Sequence, residues 1–592
     1  MTSQRARWLA SLACLCAVPS TLAGDAAYWR GRTIYQLLTD RFAPAPGASS
    51  APCTDLHTYC GGTFSGVQAH LPYMQSMGFD AAWISPIPPN TPNGYHGYWQ
   101  RCVVTEDAAP QNCSMVNPHF GSAADLAAMT SAGAAADFAF MLDVVGNHMG
   151  GVISDTPSFY PFNSSASFHD CTGCPGNCQI QDYNNQAQVQ HCRLAGLPDL
   201  NQTQSFVANT LQEWVHAAIS RFGFQGLRVD TTPEVNKPFW RAYEGASGVF
   251  AVGEVFNGDV GYVSSFQGSA LTSVLSYPMY FTLRAVFGQQ QSMNQLQAMV
   301  QAYEGAFSDT SVLGTFVDNH DNPRFLSQQS DWALYTNALL WVLTARGIPI
   351  WYYGTEYGFD GADDPANREA LWPAGFDISG HPLGVFGQSV NKLRAQRGVA
   401  ADWAQTQRYS DDSFYAFTRG QGGKDDASAI FVALTNTGSQ GGDVTRTITY
   451  HPYPDGTRLC NWFATDGSTS WDAPAMLSGV AGAPASRVSV GGSRGAVRGG
   501  GTPVKRAMST LMAAVRAAGQ AAGQVGEAQE PARTRARLAA AEAATASVLR
   551  QAMLGAASED VQGVEGEDCV TVQGGAFTIT LGLGEPKLYV PQ

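Results

Sequence analysis

The stretch Gly226-Leu-Arg-Val-Asp230, a helix-length segment after it, and then Val249-Phe-Ala-Val-Gly-Glu-Val-Phe256 decide how the rest of the chain is read. Each end is a short apolar run, the first closing on Asp230 and the second holding Glu254. Short runs of this kind, bounded by turn residues, read as buried parallel strands, and the spacing leaves room for one crossover helix. Two parallel strands joined in this way deliver both carboxylates to one face, at the strands' C-terminal ends.

Working outward, the same alternation recurs. Thr33–Leu38 reads as a first strand, Ala81–Pro86 as a second and Phe138–Val145 as a third. Thr272–Tyr277, Leu313–Val317 and Ile348–Tyr353 follow the two central strands. Helices are expected at 122–134, 203–221, 290–305 and 331–345, with a last one ending near Arg397. Eight strand–helix units imply a (β/α)8 barrel, whose sites lie at the C-terminal face of the strands. The alternation fails between Met149 and Asn201, a stretch rich in Gly, Ser, Asn and Cys. A structureless loop of that length is improbable inside a compact domain, so 149–201 is expected to be an inserted subdomain. The barrel is then 24–148 with 202–402. From 403 to 592 the pattern becomes strands and turns, which predicts a C-terminal antiparallel β-sandwich. A Gly/Ala/Arg-rich, low-complexity insertion interrupts it at about 490–565.

The composition narrows the class of protein. A formal net charge of −14 argues against a nucleic-acid partner. Residues 1–23 carry Arg5 and Arg7, an apolar run from Trp8 to Val18, and a small-residue site at Thr21-Leu-Ala23, the pattern of a secretory signal peptide. No later run is long and apolar enough to suggest a membrane span. Ten cysteines follow the leader, an even number that suggests disulfides in an oxidising compartment. Asn112, Asn163 and Asn201 open Asn-x-Ser/Thr sequons. The expectation is a secreted monomer with no membrane partner.

Polar clusters close four of the strands: Asp143…Asn147-His148, Arg228…Asp230, Glu254 and His320-Asp321. Buried charges are costly unless paired, so packing alone does not account for four such clusters on one barrel. Two carboxylates on adjacent strand ends suit cleavage of a glycosidic bond. The segments Tyr95-His-Gly-Tyr-Trp-Gln100, Asp143-Val-Val-Gly-Asn-His-Met-Gly150, Leu197-Pro-Asp-Leu200 and Asn319-His-Asp-Asn-Pro-Arg-Phe325 together resemble the motifs of the α-amylase family of retaining glycoside hydrolases, most closely its secreted fungal-type members.

The resemblance implies a role for each residue. Asp230 would be the nucleophile, held ionised by Arg228; Glu254 would be the acid/base; Asp321 would bind hydroxyls of the sugar being cleaved. His148 and His320 would hydrogen-bond the same sugar. His96, Tyr98 and Trp99 would form an aromatic wall with Tyr183 opposite, and Asp364 with Arg368 would contact a minus-side sugar. A Ca2+ ion bridging barrel and insertion is implied on Asn147, Gln190, Asp199 and the main-chain carbonyl of Glu234. Gln190 stands where the closest relatives have Glu, and Pro233-Glu234 replaces a Lys-His pair, which changes the leaving side. Cys53–Cys60, Cys178–Cys192 and Cys460–Cys569 match family disulfides, which leaves Cys102–Cys113 and Cys171–Cys174 by elimination. The implied activity is an endo-acting α-1,4-glucan hydrolase on starch, glycogen and maltooligosaccharides. A transglycosylating or exo-acting relative and an inactive glucan-binding protein are the alternatives.

Overall fold

The computed structural model describes residues 24–106, 113–465 and 568–592. The expected signal peptide, the low-complexity insertion and the Asn112 sequon lie outside the described residues. Eight parallel strands form the barrel: β1 Ile34–Gln36, β2 Ala81–Ile84, β3 Ala139–Val144, β4 Gly226–Val229, β5 Phe250–Gly253, β6 Ser273–Val274, β7 Gly314–Thr315 and β8 Ile348–Tyr352. Their order is β6-β5-β4-β3-β2-β1-β8-β7. The seam between β6 and β7 is held by one bridge, Leu275 to Gly314, and by the Ser276 amide donating to the Gly314 carbonyl at 2.8 Å. β6 and β7 are accordingly the two shortest barrel strands, each two residues against the longer runs expected from their apolar patterns.

Period-2 alternation sorts each strand into an inward and an outward set. Leu227 and Val229 join the layer between strands and helices, with Phe140, Leu142, Val144 and Ala251. Ile34, Ala81, Trp83, Ala139, Met141, Phe250, Val252, Ile348 and Ile350 form a second buried cluster, sealed by Trp29. The Trp29 indole donates to the Gln225 carbonyl at 2.9 Å and stacks on Phe250 at 6.0 Å. β4 begins with glycine because a Cβ on Gly226 would sit 2.6 Å from the Trp29 ring. The same inward column ends in polar residues at the top of each strand. Gln36, Asp143, Arg228 and Glu254 continue the positions occupied lower down by Ile34, Met141 and Val252.

Helices Ala123–Ala135, Ser205–Phe222, Asn294–Ala306, Trp332–Thr344 and Pro382–Arg397 fall close to their sequence expectations. Ser122 begins the first with a reciprocal cap to Asp125, and Gly223 and Gly398 end the second and last in left-handed conformation.

The chain from 149 to 201 is irregular, with short 3-10 turns and one helical turn, Gln186–Val189. A bridge from His148 to Asp199 ties it to the barrel, and one from Phe168 to Leu200 closes it on itself. The disulfides here differ from expectation: they are Cys171–Cys178 and Cys174–Cys192, not Cys178–Cys192 and Cys171–Cys174. Two successive turns explain the exchange. The Cys174 amide bonds to the Cys171 carbonyl at 3.1 Å and that of Cys178 to Pro175 at 2.6 Å, which folds Cys178 back onto Cys171. Cys53–Cys60, Cys102–Cys113 and Cys460–Cys569 pair as expected.

The C-terminal domain holds β9 Ala404–Ser410, β10 Phe414–Gly420, β11 Ile430–Thr435, β12 Val444–Ile448, β13 Arg458–Asn461, β14 Cys569–Thr571, β15 Phe577–Leu581 and β16 Lys587–Pro591. Six form an antiparallel sheet, β14-β13-β16-β11-β10-β9, and β12 pairs with β15 across a core of Phe414, Phe431, Ile448, Phe577 and Ile579. The other face of the large sheet packs on the barrel, where Trp341 meets Tyr415 and Phe417.

Candidate active site

Arg228 organises the mouth of the barrel. Its side chain is fully buried and sits between β3 and β5, with Asp143 as its register neighbour on β3. Nη1 donates to Asp230 Oδ1 at 2.9 Å and to both oxygens of Asp143 at 3.0 and 3.1 Å. Nη2 makes an ion pair with Glu254 Oε1 at 2.8 Å, outside hydrogen-bond geometry, and lies 4.0 Å from Asp321 Oδ2. Two carboxylates on adjacent nitrogens of one guanidinium are held within a few ångströms of each other.

Each acid has further partners. Glu254 Oε1 accepts from the Tyr277 hydroxyl at 3.2 Å and Oε2 from the Thr231 amide at 3.3 Å. Thr231 reaches that position in left-handed conformation, φ +48°, which for a β-branched residue stores about 1–3 kcal/mol of strain. Asp321 is the most open of the acids; His320 Nε2 lies 3.2 Å from it and Arg368 Nη2 3.5 Å. Asp143 has no exposed surface and also accepts from the Trp83 indole at 2.9 Å and the Tyr98 hydroxyl at 2.7 Å.

The electrostatics differ from the simple expectation that Arg228 keeps Asp230 ionised. Burial drives the Asp230 carboxyl well above the usual carboxylate range, Arg228 opposes it, and Glu254, Asp143 and Asp321 reinforce the rise. Burial likewise raises Asp321, and pushes Asp143 to about 6. Asp143, Asp230 and Asp321 are thus raised together around one guanidinium, by burial first and, for Asp230 and Asp321, by like charges beside them. Burial lowers the imidazoles of His96 and His320 well below their ordinary value and His148 to about 4, so all three are neutral near pH 7.

The expected sugar-contacting residues fall into two groups. Tyr98 stacks on His320 with centroids 5.3 Å apart, and its hydroxyl lies 2.7 Å from His320 Nε2. His148 Nε2 is 3.1 Å from the Tyr98 carbonyl, and His96 Nδ1 accepts from the Tyr98 amide at 3.0 Å. Trp99, edge-on to His96, is 38% exposed and open at the rim. Arg368 is buried, donates to the His320 carbonyl at 2.9 Å and pairs with the more open Asp364 at 3.1 Å. Tyr183 stands apart, packed in the insertion against Ile180, Val189 and Cys192, with Glu234 near enough to help burial raise its hydroxyl to about 12. Asp143, Tyr277 and Gln36, which lies 2.8 Å from His320 Nδ1, are the members that sequence reading left without a role. Asp143 was visible as a strand-end acid; the other two resembled packing residues.

The segments expected to hold a metal also converge. Asn147 Oδ1 is buried without a hydrogen-bond partner. The Gln190 amide donates to the Val235 carbonyl at 3.5 Å, which joins the insertion to the turn Thr232–Glu234. The Asp199 carboxyl accepts from or pairs with His169 Nδ1 at 2.7 Å, and burial raises it to about 6. The Glu234 side chain is pushed up to about 8 by burial, helped by Glu254 and Asp199. An orphaned amide oxygen, a second amide and a carboxylate form a hard oxygen donor set, which fits a cation such as Ca2+.

Paired buried carboxylates at the C-terminal end of a (β/α)8 barrel, with a third acid and neutral imidazoles beside them, define a glycoside hydrolase site. The profile described as "Alpha amylase, catalytic domain" matches residues 36–413. The chain is 37% identical to Alpha-amylase 2 of Schwanniomyces occidentalis over 444 residues, 72% of this chain and 83% of that protein. It is 37% identical to the Alpha-amylase of Saccharomycopsis fibuligera over 482 residues, 76% and 93% of the two chains. A solved α-amylase from Malbranchea cinnamomea superposes with a TM-score of 0.71 at 28% identity, covering 96% of this chain and 97% of that one. The protein belongs to the α-amylase family of glycoside hydrolases.

Proposed function

We infer that the protein is a secreted, endo-acting α-amylase that hydrolyses α-1,4-glucosidic bonds of starch, glycogen and maltooligosaccharides with retention of configuration. The observation that carries this reading is the sharing of Arg228 by Asp230 and Glu254, at 2.9 and 2.8 Å. A retaining reaction needs its carboxyl groups about 5–5.5 Å apart, too close to admit a water between them. In the first half-reaction Asp230 attacks the anomeric carbon while Glu254 protonates the departing glucosidic oxygen. The glycosyl ester on Asp230 is then cleaved by water, which Glu254 deprotonates. Asp321 binds hydroxyls of the sugar in the cleaved position and favours its oxocarbenium-like distortion. His96, His148 and His320, being neutral, can hydrogen-bond sugar hydroxyls without adding charge to the site. Tyr98 and Trp99 offer aromatic faces on one side, Tyr183 on the other, and Asp364 with Arg368 hold a minus-side sugar.

Asn147, Gln190, Asp199 and the Glu234 carbonyl would hold Ca2+, whose charge would compensate Asp199 and brace the insertion against the barrel. The five disulfides and the N-terminal leader pattern support secretion. Among the described residues no helix is long and apolar enough to cross a membrane.

The product profile on soluble starch and maltoheptaose tests the assignment. Rapid loss of iodine staining, with mixed short oligosaccharides released in the α-anomeric form, is the expected outcome. Release of a single small sugar from chain ends, or products longer than the substrate, would replace it with the exo-acting or transglycosylating reading.

A further inference from the structure

The turn that follows the nucleophile is held from outside the barrel. Thr232–Glu234 forms a single 3-10 turn directly after Asp230 and Thr231. Its start is tied to Glu254: the Thr232 amide donates to the Glu254 carbonyl at 3.0 Å and the Thr231 amide to Glu254 Oε2 at 3.3 Å. Further along stands Pro233, which has no N–H of its own and whose carbonyl accepts from Gln186 Nε2 at 2.7 Å. Gln186 belongs to the insertion. The other end of the same amide, Oε1, accepts from the Tyr262 hydroxyl at 2.7 Å. Tyr262 lies on the helix Val260–Ser264, the first after β5. One side chain therefore joins the turn after Asp230 to the helix after Glu254.

Both anchors are stiff. Gln186 opens the helical turn Gln186–Val189, which Asn185 caps by accepting from the Gln188 amide at 3.2 Å. Val189 is buried against Ile180 and Cys192, and Cys192 is bonded to Cys174. Asp259 caps the Tyr262 helix by accepting from the Tyr262 amide at 2.7 Å, and the Tyr262 ring packs edge-on to Phe266 at 5.3 Å. A planar amide offers a donor and an acceptor in fixed directions, so Gln186 holds the turn against a fixed post on either side. The hold matters because Thr231 is left-handed, at φ +48°, a conformation that a β-branched residue keeps only where its surroundings impose it.

We propose that Gln186 is a positioning residue for the acid/base Glu254, acting through the turn at 231–234. The proposal rests on the glycoside-hydrolase reading of Glu254. Glu254 Oε1 is taken by Tyr277 and Arg228, so Oε2 is the oxygen that carries the transferable proton, and the Thr231 amide sets its direction. Without Gln186 the turn slackens, Thr231 relaxes and its amide leaves Oε2. The carboxyl then swings about its Oε1 contacts. A reacting group misplaced by about an ångström costs up to about a hundredfold in rate. The loss falls on proton transfer to the leaving oxygen, because Gln186 touches neither Asp230 nor Asp321.

The test compares a substrate whose leaving group needs a proton with one whose leaving group does not. Maltoheptaose departs through a glucosyl oxygen that must be protonated, whereas maltotriosyl fluoride expels fluoride without a general acid. Gln186→Met keeps the length of the side chain and removes both bonds; Tyr262→Phe removes one hydroxyl. With Ca2+ in excess, Gln186→Met lowers kcat/KM on maltoheptaose by about tenfold and Tyr262→Phe by about threefold, while kcat/KM on the fluoride stays within about twofold of wild type. A merely structural role lowers both substrates together, in step with the folded fraction. An equal fall on the two substrates, or no fall on maltoheptaose, overturns the proposal. Tyr262→Phe decides if Gln186→Met does not fold. Glu254→Gln is the reference, expected to lose maltoheptaose hydrolysis while it keeps most of its kcat/KM on the fluoride. Full activity of Glu254→Gln on maltoheptaose would instead remove Glu254 from the acid/base role, a separate result.

Discussion

The floor and the mouth of the barrel are built from the same strands, yet they obey opposite rules. At the floor Ile34, Ala81, Ala139, Phe250 and Ile348 meet around Trp29, and every one is buried with apolar neighbours. Four residues further along the same inward column from Ala139 and Phe250 stand Asp143 and Glu254, with Arg228 on β4 and Asp230 just past its end between them, all nearly as buried and all ionisable. The floor removes apolar area from water, which stabilises the fold by roughly 25 cal/mol per Å2. The mouth removes charge from water, which costs stability unless each charge is paired. One guanidinium shared among four carboxyl groups pairs them incompletely, and burial raises Asp143, Asp230 and Asp321 above the ordinary carboxylate range. The barrel is stable because of its floor and reactive because of its mouth.

Substitutions at the two ends should therefore separate activity from stability. The largest effect is expected from Glu254→Gln, which removes the acid/base while keeping the shape. Starch hydrolysis should fall by about 10³–10⁴-fold with thermal stability unchanged or raised, and activity near wild type would break the comparison at its centre. Trp29→Ala should do the reverse, lowering stability by about 3–5 kcal/mol in denaturant unfolding while the folded fraction keeps its kcat. Removal of Ca2+ with a chelator should lower the melting temperature by an amount equivalent to about 2.7 kcal/mol where the ion is supplied at a hundredfold excess over its Kd. A chelator-insensitive melting curve would remove the metal from the insertion.

Asp143→Asn tests whether Asp143, which accepts from Arg228 through both oxygens, positions that guanidinium. It should lower kcat/KM by roughly tenfold to a hundredfold, as for loss of a charged hydrogen bond worth about 1.5–3 kcal/mol. It should also shift the acid limb of the pH profile. Asp143 is raised from an ordinary 3.8 to about 6, and Asp230 is raised as well, so activity should fall as pH drops through about 6. The stability sign is opposite: a carboxyl raised in the folded state favours folding fully below about 3.8, and that contribution is lost as pH climbs through about 6. The smallest effect follows from this. Asp230→Asn, although inactive, should be more stable than wild type at pH 7 by about 0.5–2 kcal/mol, measured by denaturant midpoint. A destabilised Asp230→Asn would show that pairing with Arg228 outweighs burial.

Much of this organisation was legible in the residues themselves. Strand runs that close on Asp230, Glu254 and Asp321, with the helices between them, specified the barrel and the face on which the acids lie, because period and chain direction are local properties. The antiparallel C-terminal domain was also readable, but β9, β13 and β14 were not, since the first is mostly polar and the others are short. What only the tertiary structure decided depends on distances between segments far apart in sequence. The exchange to Cys171–Cys178 and Cys174–Cys192 arose from two turns that spacing does not encode. The linking of Asp143 to Arg228, and of Tyr277 and the Thr231 amide to Glu254, needed the strand register. So did the reversal at Asp230, where the desolvation of a crowded site outweighs one neighbouring arginine. A sequence names the charges; only the fold sets how much water and how many like charges surround each one.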